Sequence, residues 1–282
     1  MVRVNCNFCK SDDYLFLFSL DKFKIPFTIV KCRRCGLIYQ NPRPNPDLIK
    51  SFYSKDYYTG KSSVSYVKEY EKEKFIIDER LKIIERMKSP GRLLDIGCYS
   101  GIFLDVAQKR GWDSYGIDIS PFIVEIAKAR GLKIFLGEVS DINFKNNFFD
   151  LITLYEVIEH LSDPLESLMQ IHRILKDDGL VIIQTANMDS LRAKFLERKE
   201  YYFLPVHLYY FTKKIIIRML KKAGFEIFKI YNGSEFNIST ELKLFKDDVS
   251  LGRLLLRKLL NKVEFRGFTL NSVMVVYAKK SR

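Results

Sequence analysis

From Arg92 onward the apolar and polar positions of this chain follow two alternating rhythms. Short, nearly continuous apolar runs lie at Arg92–Ile96, Trp112–Ile117, Lys133–Leu136, Phe149–Tyr155, Leu180–Thr185, Phe225–Tyr231 and Ser272–Lys279. Between them, at Ile102–Arg110, Pro121–Arg130, Asp163–Leu175 and Lys213–Ala223, apolar residues recur every three or four positions. The first rhythm suits strands buried on both faces, the second amphipathic helices. Pro121 at a helix start, and Gly131 and Gly224 just past helix ends, are correctly placed boundary residues. Alternation of this kind predicts an α/β fold: a parallel sheet with helices on both faces.

The first residues do not share this rhythm. Tyr14–Leu20 and Phe27–Lys31 alternate like short strands, and the three prolines of Asn41–Pro46 deny both helix and sheet, ending a small module over 1–46. From Asp47 to Met87 the pattern turns helical, with Ile76, Ile77, Leu81, Ile84 and Met87 on one stripe, until Ser89-Pro90-Gly91 breaks it. Residues 47–90 thus read as a helical linker or cap and 91–282 as the main domain. Tyr53, Tyr57, Tyr58, Tyr66 and Tyr70 suit packing between module and domain as well as substrate contact. Residues 232–267, between the last two strands, form an insertion. Within it Leu251–Val263 is basic and amphipathic, fit to cap the sheet edge or to lie peripherally on an anionic membrane.

Cysteine spacing changes the picture of the first module. Cys6 with Cys9 and Cys32 with Cys35 make two C-x2-C pairs separated by 22 residues, the ligand set of a zinc ribbon, with Gly36 relieving the crowded second turn. Four thiolates close the coordination sphere, so the expected Zn2+ is structural. The strands between the pairs hold too little apolar material for a free-standing core without a metal. Cys98 stands apart and reads as a small packing residue.

Composition narrows the class. With 47 % apolar and 29 % charged residues the chain is globular, and no apolar run approaches the length of a membrane span or signal peptide, so a cytoplasmic location is expected. The net charge of +13 invites a nucleic-acid partner, but the lysines of Lys68–Lys88 alternate with glutamates as on a solvated face.

The densest chemistry lies in RLLDIGCYSGIFL, Arg92–Leu104, where a buried strand runs into Asp95 and a turn bearing Gly97 and Gly101. A dinucleotide-phosphate loop is a weaker fit, because that fingerprint wants G-x-G-x-x-G. WDSYGIDI then ends a second strand at Asp118, where an acid can accept from both hydroxyls of a ribose, and NFFDLITLY followed by EVIEHLSDP forms the third block, Asn147–Pro164. In this order the three blocks resemble the class I S-adenosylmethionine-dependent methyltransferases, over roughly residues 65 to 282. The departure is Tyr99, where that family more often has a third glycine. The resemblance implies a Rossmann-like, seven-stranded, mostly parallel sheet with Asp95 and Gly97 beside the methionine part of the cofactor, and Cys98 and Gly101 in the same cofactor-binding loop. It also implies Asp118 and Ile119 at the ribose, Glu138 and Val139 around the adenine, and Tyr155 at the end of the fourth strand.

Methyl transfer requires the acceptor to be held in line and, for a hydroxyl, relieved of its proton. Glu156, His160 and His207 are the candidates; a helix starting at Glu156 would put Glu156 and His160 on one face, with Glu159 adjacent. E-V-I-E-H with a later histidine is similar to the quinone-biosynthesis O-methyltransferases and the small-RNA 2′-O-methyltransferases, in which such a constellation binds a divalent ion. That similarity implies Mg2+ at Glu156, Glu159, His160 and His207. Metal-free relatives carry a similar E-x-x-E-H, so His207 as a general base is the other expectation, with Asn187–Pro205 as a substrate lid. The ribbon-plus-domain pattern looks like enzymes that methylate sugars or other small polyhydroxylated metabolites. The expected function is O-methylation of a small or glycan-type acceptor; the alternatives are an RNA methyltransferase and a non-catalytic partner-binding module.

Overall fold

The structure, a computed structural model, describes residues 1–22, 25–53, 66–196, 202–233 and 272–281. Eleven strands are described: β1 (Tyr14–Lys22), β2 (Ile25–Cys32), β3 (Ile38–Gln40), β4 (Arg92–Ile96), β5 (Asp113–Asp118), β6 (Lys133–Leu136), β7 (Phe149–Tyr155), β8 (Leu175–Ala186), β9 (Tyr209–Tyr210), β10 (Phe225–Asn232) and β11 (Val273–Lys280). The helices are α1 (Pro46–Phe52), α2 (Tyr66–Glu85), α3 (Ile102–Lys109), α4 (Pro121–Ala129), α5 (Pro164–Ile174), α6 (Leu191–Leu196) and α7 (Lys213–Lys222).

Seven strands form one sheet in the order β10-β11-β8-β7-β4-β5-β6, in which β4, β5, β6, β7 and β8 pair in parallel and β11 runs antiparallel to both neighbours. This is the Rossmann-like sheet that the resemblance implied. From β4 the chain winds outward to β5 and β6, then returns to place β7 on the other side of β4. The carboxyl ends of β4 and β7 therefore open a crevice at the point where the winding reverses, which is where such sheets bind ligands. Every residue of β7 except Tyr155 is buried, which explains its unbroken apolar run. Helix starts follow the local chemistry: the side chains of Ser120, Asp163 and Thr212 each accept from a backbone N–H of the helix they cap, and Pro121 and Pro164 occupy first helical positions.

The amino-terminal module is a second sheet, β1-β2-β3-β9. Its fourth strand comes from the main domain, with Ile38 opposite Tyr210 and Tyr39 opposite Tyr209, a pairing that reading the module as residues 1–46 does not anticipate. The two units also share a core: Phe8, Val30, Leu37 and Tyr39 belong to one apolar cluster with Tyr209, Phe211, Ile215 and Met219. From α7, Arg218 donates to the carbonyl of Cys35 at 3.1 Å and Lys222 to that of Phe8 at 2.9 Å. Among the described residues no helix is long and apolar enough to cross a membrane. Apart from Asn232 and Gly233, the expected insertion at 232–267, including Leu251–Val263, lies outside the described residues.

Candidate functional site

The crevice is built by three loops. After β4 the backbone enters the left-handed region three times, at Gly97 (φ 70°), Tyr99 (φ 47°) and Gly101 (φ 76°). At Gly97 this is obligatory, because a Cβ would stand 2.4 Å from Cγ2 of Val157. Tyr99 thus adopts a backbone that glycine would take without strain, and its amide donates to Oδ2 of Asp118 at 3.0 Å. Oδ1 of Asp118 accepts from the amide of Ser120 at 2.9 Å. The acid that ends β5 therefore ties both neighbouring loops, and its remaining lone pairs stay available to a hydroxylated ligand.

A cavity of about 230 Å³ opens here, with Gly97, Tyr99, Asp118, Ile119, Glu138 and His160 in its wall. A second, of about 290 Å³, lies on the β4 side and includes Asp95, Cys98, Tyr155 and Arg80. Asp95 is buried and accepts from the Thr153 hydroxyl at 2.7 Å; burial first, and then the charge of Asp118, push its carboxyl up to about 7. Cys98 is buried against Gly116, whose absent side chain makes room for its sulfur, and burial raises its thiol far above the usual range. Glu138 accepts from the Ser162 hydroxyl at 2.7 Å, whereas Val139 is turned into the core.

Arg80 on α2 escaped the sequence reading. Its guanidinium lies 4.1 Å from the Tyr155 ring centre and donates to Oε1 of Gln184 at 2.6 Å, and Gln184 in turn donates to Oε1 of Glu156 at 2.8 Å. A signal was present: Arg80 falls on the stripe of Ile76, Ile77, Leu81 and Ile84, a position where a cation must face the domain. Of the tyrosines singled out in the sequence, Tyr53 lies at the site: its carbonyl accepts from Ser120 at 3.2 Å while its side chain lines the cavity.

No helix starts at Glu156, so Glu156 and His160 do not share a helix face. Residues 156–160 make a bend and a turn, and α5 waits until Asp163-Pro164 supplies its cap. Glu156 has φ 57°, so it ends β7 abruptly and points toward Gln184. The groups that converge are Glu159, His160 and His207, each offering one ligand atom within 4.8 Å of the others. His207 Nδ1 lies 2.7 Å from the carbonyl of Tyr202, and His160 Nδ1 lies 3.0 Å from that of Val206. A carbonyl can only accept, so both rings carry their proton on Nδ1 and present an Nε2 lone pair, the tautomer of a metal ligand. Burial keeps both imidazoles neutral, pushing His160 down to about 4 and His207 to about 3. Glu159 is buried, with Oε2 bonded to Thr185 at 2.9 Å and Oε1 without a hydrogen-bond partner, and burial raises its carboxyl well above the usual range. A buried acid with one oxygen unpaired, gathered with two neutral imidazoles, fits a divalent cation, whose charge would hold the carboxyl ionised.

The four ribbon cysteines are free thiols brought together. Sγ of Cys6 lies 3.4 Å from that of Cys35, and Sγ of Cys9 3.5 Å from that of Cys32. These separations are far beyond a disulfide and close to the ~3.8 Å edge of a tetrahedron with 2.3 Å metal–sulfur bonds. Gly36 has φ 86°, as the tight second turn requires. Burial pushes the Cys6 thiol up to about 11, so several thiolates can coexist here only beside a compensating cation. The cluster fits zinc binding.

A family model described as a methyltransferase domain matches residues 67–230, more than half of the chain. An uncharacterised protein of Methanocaldococcus jannaschii is 28 % identical over 172 residues, covering 60 % of this chain and 81 % of its own. A ubiquinone biosynthesis O-methyltransferase of Haemophilus ducreyi is 30 % identical over 186 residues, 59 % of this chain and 78 % of its own. Among solved structures, an S-adenosylmethionine-dependent methyltransferase from Archaeoglobus fulgidus superposes with a TM-score of 0.53 at 21 % identity, covering 77 % of this chain and all of its own. One from Mesorhizobium loti superposes at 0.53 with 15 % identity over 72 % of this chain and 98 % of its own. At such identities the superpositions speak for the fold.

Proposed function

The chain belongs to the methyltransferase-domain family and is an S-adenosylmethionine-dependent methyltransferase, and from that premise we propose that it methylates a hydroxyl of a small or glycan-type acceptor with the help of a divalent cation. One observation carries the proposal: Glu159, His160 and His207 each bring one ligand atom within 4.8 Å of the others, and His160 also lines the cavity of Gly97 and Asp118. The cofactor supplies an electrophilic methyl group on a sulfonium. In this reading Asp118 accepts from its ribose hydroxyls, Asp95 faces its ammonium group, and Arg80 offers a counter-charge to its carboxylate. A cation such as Mg2+ at the triad would lower the pKa of a bound hydroxyl, leaving the protein to align the oxygen and exclude water. Glu156, held through Gln184 by Arg80, acts from beside the triad and not as a ligand.

The similarity to ubiquinone-biosynthesis O-methyltransferases supports oxygen as the atom methylated. Zn2+ in the four-cysteine cluster is structural in this reading, because four thiolates leave no open position. Such a thiol cluster suits a reducing compartment, so we place the protein in the cytoplasm.

The test is methyl transfer from labelled cofactor to a panel of polyols, phenols and nucleotide sugars, with Mg2+ and with a chelator too weak to strip a four-thiolate zinc. Chelator-sensitive transfer, lost in Glu159→Gln, is the expected result; transfer indifferent to both treatments removes the cation. An RNA acceptor is the second reading, favoured by α7, which carries Lys213, Lys214, Arg218, Lys221 and Lys222 and no acidic residue. Transfer to RNA that falls steeply with salt would select it.

A further inference from the structure

Gln40 ends β3 of the ribbon and is completely buried. Its Nε2 donates to three backbone carbonyls of one loop: Leu204 at 3.1 Å, Pro205 at 3.0 Å and His207 at 2.8 Å. Its backbone amide donates to a fourth, Leu208, at 2.9 Å. An amide nitrogen carries two hydrogens, so three carbonyls converge on two N–H bonds, while Oε1 has no hydrogen-bond partner. Leaving a buried acceptor unpaired is unfavourable, and the arrangement is intelligible if gathering these carbonyls is the residue's task. Glutamate would repel them and methionine would leave them unsatisfied.

The gathered loop carries His207. The next two amides, of Leu208 and Tyr209, both donate to the carbonyl of Glu159, at 2.9 and 3.2 Å. Other residues of the amino-terminal module hold the opposite loop: Arg43 Nη1 donates to the carbonyl of Ser162 at 2.9 Å and to the Tyr209 hydroxyl at 2.8 Å, and Asn7 Oδ1 accepts from the amide of Leu165 at 3.2 Å. Asn7, Gln40 and Arg43 thus clasp both segments whose side chains meet at the triad.

We propose that Gln40 is a positioning residue of the acceptor side: through the carbonyls of Leu204, Pro205 and His207 the zinc ribbon fixes where His207 stands against Glu159 and His160. The ribbon is then a part of the active site's frame, although none of its side chains needs to touch the reacting atoms. The proposal rests on the role given to the triad above.

The chain has three histidines, so long-range proton–nitrogen correlation spectra of the full-length, zinc-loaded protein report each imidazole separately. In the wild type, His160 and His207 give the pattern of an Nδ1–H tautomer. Gln40→Met converts His207 to a mixed or exchange-broadened pattern, while His172 and the affinity for S-adenosylhomocysteine change less than about twofold. Mn2+ affinity, read by its electron paramagnetic resonance signal, falls at least tenfold in the same variant. If Gln40→Met does not fold, Arg43→Met, which loosens the same clasp from its more exposed side, decides by the same readouts. An unchanged His207 pattern in the folded variants overturns the proposal. Failure of the wild type to bind Mn2+ would instead sink the cation reading and leave the His207 readout standing.

Discussion

The hydroxyl of Tyr53 lies 2.9 Å from Nδ1 of His160, the nitrogen that also faces the carbonyl of Val206. Because the carbonyl fixes the proton on the ring, the tyrosine oxygen accepts from it. A residue just past α1 thereby closes one wall of the cavity lined by Gly97 and Asp118 and steadies a candidate metal ligand. Tyr53→Phe keeps the wall and loses one hydrogen bond, about 1 kcal/mol of stability, with cofactor affinity unchanged. Tyr53→Ala removes the wall and should weaken S-adenosylhomocysteine about tenfold. Calorimetric titration of both variants checks the pair; equal loss in both would mean that the ring does not line the cofactor.

In the proposed reading, Asp95 gives cofactor binding a pH dependence. Its folded pKa of about 7 lies above that of the unfolded chain, because of burial and the nearby Asp118. Between the usual carboxylate range and 7 the folded protein holds the extra proton, so this group's contribution makes the apo protein less stable as pH rises through that window. In the proposed reading, pairing with the cofactor's ammonium group would favour the ionised form. Affinity for S-adenosylhomocysteine should therefore rise about tenfold from about pH 6 to pH 8. Titrations across that range should be flat for Asp95→Asn; a wild type as flat as the variant would take Asp95 away from the ammonium group.

The loop after β4 contains one glycine that is required and one non-glycine that is tolerated. Gly97→Ala sets a Cβ against Val157 in a left-handed backbone and should destabilise by at least about 2 kcal/mol, with cofactor binding lost. Tyr99→Gly relaxes the backbone strain and frees the unfolded chain, two effects of similar size, so stability should change by less than about 0.5 kcal/mol. Chemical denaturation of both variants tests the contrast.

Zinc loss should be felt by the whole described fold. The ribbon shares β9 and an apolar cluster with the main domain, so Cys6→Ser should melt in one transition and not two. Losing even about 4 kcal/mol of metal binding energy lowers Tm by roughly 10 °C. Scanning calorimetry, with metal content by mass spectrometry, gives the answer; an early separate transition with an unmoved main peak would show an independent ribbon.

The amino-acid order by itself determined the alternating strands and helices, the three motif blocks and the cysteine pairs. Each of these is written in residues close along the chain: periodicity reports which face is buried, Gly97 and Asp118 stand where a turn and a strand end require them, and C-x2-C closes its own knuckle. Tertiary structure alone decided the ribbon's fourth strand and the clasp of Gln40, and it narrowed the four groups implied by the family likeness to Glu159, His160 and His207. His160 and the carbonyl of Val206 are 46 positions apart, and Gln40 is 167 from His207. A glutamine ending a short strand, or a histidine in a loop, carries no local pattern that names its partner. Packing of α7 and β9 against the ribbon brings them together, and the same packing leaves Glu156 aside because its positive φ turns it from a helix that never starts there.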